Sequence, residues 1–207
     1  WRTLMKIRTA ATAALTLAAA LTLAGCAGDS GSESMPGMDH GSSAPSSSSS
    51  AATADFNDAD VMFAQMMIPH HEQAVEMSDM VLDKEGIDPG VLTLASDIKA
   101  AQQPEIDQLQ SWLDEWGADN DTGSMDGMDH CGGMMSDDDM AALEAATGAE
   151  ASRLFLEQMT MHHEGAIEMA QDEVDNGQNS DAIAMAQTII DTQTAEIATM
   201  QELLGSL

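Results

Sequence analysis

Two adjacent histidines followed by a glutamate occur twice in this chain, as His70-His71-Glu72 and His162-His163-Glu164. Each triplet lies in the same frame of sulfur: Met67 and Met77 flank the first, and Met159 and Met169 hold the matching offsets around the second. Imidazole and thioether together suit soft or borderline cations, copper above all and Cu(I) ahead of Cu(II), and suit Mg, Ca, Mn or Fe poorly. Helical bundles that hold two irons use Glu-x-x-His. Here a thioether replaces the carboxylate, in Met67-x-x-His70 and Met159-x-x-His162. The candidate ligands are Met66, Met67, His70, His71 and Met77 at one centre, and Met159, Met161, His162, His163 and Met169 at the other. A methionine on a helical stripe is more often a core filler than a ligand. Paired histidines in both copies, in a chain of six His and eighteen Met, favour ligation at His70 and His162. His71 and His163 are balanced between ligation and a solvent-facing edge.

Sulfur and imidazole recur outside these stripes. Met35-Pro-Gly-Met38-Asp-His40 and Met125-Asp-Gly-Met128-Asp-His130 share one motif, and Cys131, Met134 and Met135 extend the second. A polar, glycine-hinged segment has no core for methionine to fill, so both read as capture arms that wrap a soft cation. As a thiolate, Cys131 is the strongest Cu(I) donor in the sequence. Carboxylates supply outer partners: Glu72 and Glu164 beside the histidines, and Glu105 and Glu196 on later apolar stripes, with Gln102 and Gln193 one turn before them. A buried carboxylate needs a partner. For Glu105 and Glu196 that is either a ligating histidine or water at the edge of the fold, the wet edge being the plainer expectation.

An internal duplication positions all of these residues. Phe63 to Met77 recurs as Phe155 to Met169, and Ile98, Gln102, Glu105, Ile106 and Leu109 recur, one residue out of step, as Ile189, Gln193, Glu196, Ile197 and Met200. At helical spacing Phe63, Met66, Met67, His70, Ala74, Met77 and Val81 form one stripe of a helix over about 55–85, which Pro69 is expected to bend. Asp88-Pro89 opens a second helix, with Pro104 as an expected kink and Gly117 as its end. Ser136 caps a short helix to about 146 that Gly148 breaks, and long helices follow over about 149–176 and 180–204. No strand pattern is present. Two tandem hairpins of this length bury their stripes against each other, which predicts an all-α, four-helix bundle with pseudo-twofold symmetry. The first repeat spans 55–117, the Met/His/Cys loop 118–136 and the second repeat 137–207.

Residues 1–25 begin basic, run apolar through Thr9–Ala24 and end in Leu23-Ala24-Gly25 before Cys26. This is the pattern of a lipoprotein signal peptide, in which Cys26 carries the lipid. Residues 26–54, rich in Ser, Gly and Ala, read as a disordered tether. The expected location is extracytoplasmic, lipid-anchored to the outer face of a bacterial cell membrane. With Cys26 committed to lipid, Cys131 has no intramolecular disulfide partner. Removing residues 1–25 leaves three basic residues against 36 acidic ones, a net charge of −33. Such a polyanion excludes nucleic acid as a partner and attracts cations.

The segments Met66-Met-Ile-Pro-His-His71-Glu and Met161-His-His163-Glu-Gly-Ala-Ile-Glu-Met169 resemble the signature of the domain-of-unknown-function 305 family. That resemblance covers about 55–207 and implies a ferritin-like helical bundle in a secreted, Met- and His-rich protein. It suggests copper, since some members bind it and are linked to copper tolerance. Cys131 is not part of the family pattern. The expectation is therefore a tethered copper-binding protein, not an enzyme, that sequesters, buffers or transfers copper, with a copper-transfer protein as a further partner. The rivals are a ferritin-like metal oxidase or oxidoreductase, a zinc or nickel scavenger, and a structural or interaction bundle whose methionines only pack.

Overall fold

The computed structural model describes residues 55–119 and 132–207, which form five helices. They are α1 (Asp58–Leu82), α2 (Pro89–Trp116), α3 (Asp137–Ala145), α4 (Gly148–Asn176) and α5 (Ser180–Leu204). No strand occurs among the described residues, and no helix there is long and apolar enough to cross a membrane. The α1–α2 and α4–α5 hairpins pack most extensively within themselves. They meet chiefly through α1 and α4, while α2 and α5 barely touch. This is the expected all-α bundle of two duplicated hairpins, with α3 as a small addition to it.

The helix ends follow their capping chemistry. Helix α1 starts three residues later than the stripe suggested, because Asn57 and Asp60 form a reciprocal capping box, and it stops at Leu82 with Asp83 as its cap. Ser136 and Asp139 do the same for α3. Pro69 and Pro104 lie inside α1 and α2, and both helices continue through them. Gly148 ends nothing: it opens α4 directly after Thr147.

The two hairpins are tied at both ends by equivalent contacts. The Asp60 carboxylate accepts from the backbone N–H groups of Gln178 (3.0 Å) and Asn179 (2.8 Å) in the α4–α5 turn. At the matching position of the second copy, the Ser152 hydroxyl accepts from Asp88 N–H (3.0 Å) in the α1–α2 turn. The pseudo-twofold is thus written into the turns as well as the stripes.

Two apolar clusters fill the interior. One gathers Met77, Val81, Val91, Ile98, Leu143, Phe155, Met159 and Met200. The other gathers Phe63, Met67, Ile106, Leu109, Leu113, Ala166 and Ile189. Along α1 the first cluster begins at Ala74 and the second ends at Ile68; along α4 they end at Met159 and begin at Ala166. The histidines occupy the gap between them.

Candidate metal centre

α1 and α4 run antiparallel, since the start of α1 contacts the end of α4 through Asn57 Nδ2, which donates to the Asn176 carbonyl (2.9 Å). Equivalent turns of the two helices therefore face one another at mid-length. His70 and His162 meet there, ring centroids 3.7 Å apart and planes tilted by 40°. All four histidines are buried: His70 is 1% exposed, and His71, His162 and His163 are 0%. For His71 and His163 this corrects the solvent-facing alternative, because the outer helices α2 and α5 close over that side of the stripe.

The hydrogen bonds fix which nitrogens remain for other work. Glu105 Oε2 accepts from His71 Nε2–H at 2.8 Å, and Glu196 Oε2 accepts from His163 Nε2–H at 2.7 Å. Each glutamate is 20% exposed, so the two readings of Glu105 and Glu196 combine: they stand at the edge and hold a histidine from there. A carboxylate on Nε2–H orients the ring and directs Nδ1 away from it, the arrangement that backs metal-bound histidines. Glu72 and Glu164, expected as outer partners, are exposed and turned away, since a helix rotates successive residues by about 100°. His70 Nε2–H donates to the Gly132 carbonyl at 2.6 Å. His162 has no hydrogen bond on either ring nitrogen, and Nδ1 of each of the other three histidines is unpaired as well.

Burial pushes His70 down to about 3, helped by the neighbouring His71 and His163 and only partly opposed by the Gly132 carbonyl. Burial likewise holds His162 well below the usual imidazole range, reinforced by His70, His163 and His71. Both are neutral at physiological pH and carry lone pairs. Unpaired buried polar atoms are rare in folded proteins and each costs about 1–3 kcal/mol. Five such nitrogens lie in this one layer, and since a neutral imidazole has a single lone-pair nitrogen, the four rings present at most four of them as lone pairs. Among the described residues no group of three or more His, Cys, Asp or Glu side chains is gathered so as to hold a metal ion on those groups alone.

The sulfur atoms are distributed unevenly. Met67, Met77 and Met159 are fully buried in the clusters on either side of the histidine layer. Met66 and Met169 are half-buried and line a separate cavity, and Met161 is 50% exposed. Met134 is half-buried; Met135, expected as a loop donor, packs in the core cluster with Phe155 and Met77. It fills core after all, because the segment that leads into it already lies against α1 and α4 from Gly132 onward. Met35, Met38, His40, Met125, Met128, His130, Cys131 and Cys26 lie outside the described residues.

The segment Gly132–Met135 forms a strap across the histidine layer, a feature that motif reading missed. The Gln73 side chain clamps it, donating to the Met135 carbonyl (2.9 Å) and accepting from Met135 N–H (2.7 Å). On the opposite helix the strap rests on Gly165, where a Cβ would lie 1.8 Å from the Gly132 oxygen. Gln73 and Gly165 occupy the same position of the two copies. The break in the repeat there was the available signal: one copy grips the strap with an amide, and the other makes room for it.

Fold and centre together define a duplicated helical bundle with a buried histidine layer flanked by thioethers. The chain belongs to the DUF305 family (domain of unknown function), whose model matches residues 60–204. It is similar to a DUF305 fragment from Deinococcus radiodurans, with 30% identity and a TM-score of 0.67 over 73% of this chain and 98% of that one. It is similar also to a putative secreted DUF305 protein from Streptomyces coelicolor, with 34% identity and a TM-score of 0.66 over 72% and 91% of the two chains. CopM in its Cu(I)-bound form shows 28% identity and a TM-score of 0.61 over 71% of this chain and 96% of its own. CopM is also known in Cu(II)-bound, Ag-bound and apo forms. A curated mimivirus protein (Acanthamoeba polyphaga mimivirus) is 41% identical over 56 residues, and the chain spans only 36% of its length.

Proposed function

We propose that this protein binds copper, Cu(I) ahead of Cu(II), at the histidine layer, and that it stores or hands on the ion rather than transforming a substrate. The observation that carries this reading is the set of unpaired, buried imidazole nitrogens with Glu105 and Glu196 behind two of the rings. Similarity to CopM, which binds Cu(I) and Cu(II), supports the choice of metal. Buried thioethers beside the layer favour the softer oxidation state. The lipid on Cys26 would tether the bundle outside the cell, and a copper-transfer protein would receive or supply the ion. His70 and His162 would be the first ligands, with His71 and His163 joining through Nδ1. X-ray absorption on the Cu(I)-loaded protein tests it: mixed nitrogen and sulfur scattering is expected, and a shell of oxygen alone would overturn the reading.

A further inference from the structure

The two ties between the hairpins occupy equivalent positions but differ in chemistry. The pseudo-twofold maps Asp60 on Ser152 and Glu173 on Val81, and all four side chains are buried. At one end a hydroxyl, that of Ser152, takes the Asp88 N–H, and the position matching Glu173 is the aliphatic Val81. Nothing in that tie ionises. At the other end two carboxyl groups hold the same places, in hydrogen-bonding contact with each other. Such a contact needs a proton between the two groups, because buried like charges side by side raise the cost of the second ionisation.

The surroundings decide which carboxyl keeps the proton. Asp60 Oδ1 accepts from the N–H groups of Gln178 (3.0 Å) and Asn179 (2.8 Å), and Oδ2 accepts from that of Asn57 (2.5 Å). Asp60 also stands in the first turn of α1, where the helix dipole favours an anion. Burial works against its charge, but these bonds and the contact with Glu173 hold its carboxyl below the usual range. Glu173 is placed the opposite way. It is 1% exposed, neither of its oxygens meets an N–H or hydroxyl donor, and it stands in the last turn of α4, where the dipole disfavours an anion. Burial, and then Asp60, push it up to about 8. The other charged groups around it are acidic too. Asp58 of α1 and Asp172 of α4 line the cavity that Glu173 borders, Asp181 lies in the first turn of α5, and no described Lys, Arg or His lines that cavity. Gly177 leaves room for the carboxyl, since a Cβ there would lie 2.3 Å from Glu173 Oε1.

We propose that Glu173 carries a proton that it shares with Asp60, and that this proton is the fastener between the start of α1 and the end of α4, so that alkaline pH loosens this end of the bundle while the Ser152 end stays closed. Losing the proton sets two carboxylates in contact and drives Asp60 away from the turn amides it holds. The device is independent of the ion that the histidine layer takes. The test is an NMR titration of the full chain from pH 6 to pH 10, with 13C at the glutamate carboxyl carbons and the alanine methyl groups. Ala59 and Ala151 occupy the same position of the two copies, each next to its tie, and serve as paired reporters. The Glu173 carboxyl carbon should titrate with a midpoint near 8, the Ala59 methyl should move with the same midpoint, and the Ala151 methyl should stay still. Glu173→Gln, whose amide can donate to Asp60 at every pH, should abolish the Ala59 transition. Should that variant not fold, the wild-type spectra decide alone. A Glu173 carbon already ionised at pH 6 would overturn the shared proton. An Ala59 methyl that stays still while Glu173 titrates, or one that moves no more than Ala151, would overturn the fastener.

Discussion

Replacing Gly165 by alanine should free the strap while leaving the bundle folded. The new Cβ would sit 1.8 Å from the Gly132 oxygen and 2.0 Å from its carbonyl carbon. Real Cβ contacts stay beyond 3.0 Å, so the strap must lift off α4 by more than an ångström. That movement breaks the 2.6 Å hydrogen bond from His70. Leaving a buried donor unsatisfied costs about 1–3 kcal/mol. Alanine in a helix interior returns about 1 kcal/mol relative to glycine. The net loss of global stability is therefore small, between about 0 and 2 kcal/mol, whereas the local effect is large. Two readouts separate them: hydrogen exchange at the Met135 amide, which Gln73 protects, and the 15N shifts of the His70 ring, which report its tautomer. Faster exchange and loss of the fixed Nε2–H form are expected, with unfolding midpoints nearly unchanged. Unaltered protection and an unaltered His70 tautomer in the variant would refute the seating of the strap on Gly165.

Three further outcomes follow from the same geometry. The folded pKa of His70, about 3, lies below its unfolded value of 6.5, and that of His162 is lowered too. The unfolded chain therefore takes up these protons first. Stability should be complete above pH 6.5 and fall by about 1.4 kcal/mol per unit for each histidine below it; a flat denaturation profile from pH 7 to 5 would contradict this. At Glu173, burial and the facing Asp60 carboxyl push the pKa up to about 8. Its stabilisation is present below 4.5 and lost as pH rises through about 8, so Glu173→Gln should gain on wild type in urea unfolding at pH 9 and not at pH 5. Glu105→Gln with Glu196→Gln should weaken Cu(I) affinity by about 10- to 100-fold in chelator competition; unchanged affinity would show that these carboxylates do not back ligands.

The bundle was legible because its stripes obey one period and occur twice. Phe63, Met67, His70 and Met77 each recur at the same offset and each is buried as its partner is, Met169 excepted. Met66 and Met169 depart from the stripe reading in being only half-buried, a matter of tertiary placement that periodicity does not encode. Whether Glu105 and Glu196 met water or histidine depended on the distance between helices, which spacing along one helix leaves open. Met135 was misjudged for a related reason. Its neighbours are polar and glycine-rich, yet the chain has already entered the core cluster where it packs. The strap itself was visible only as an irregularity, Gln73 against Gly165, in an otherwise faithful repeat.

The most direct test of the histidine layer is competition for Cu(I) between the protein and a chromophoric chelator, run on wild type and on His70→Ala/His162→Ala. Wild type should withdraw Cu(I) from the chelator, and the double variant should lose at least one equivalent of that capacity while keeping its helical signal. Full capacity in the folded variant would place copper elsewhere and contradict the account of this centre.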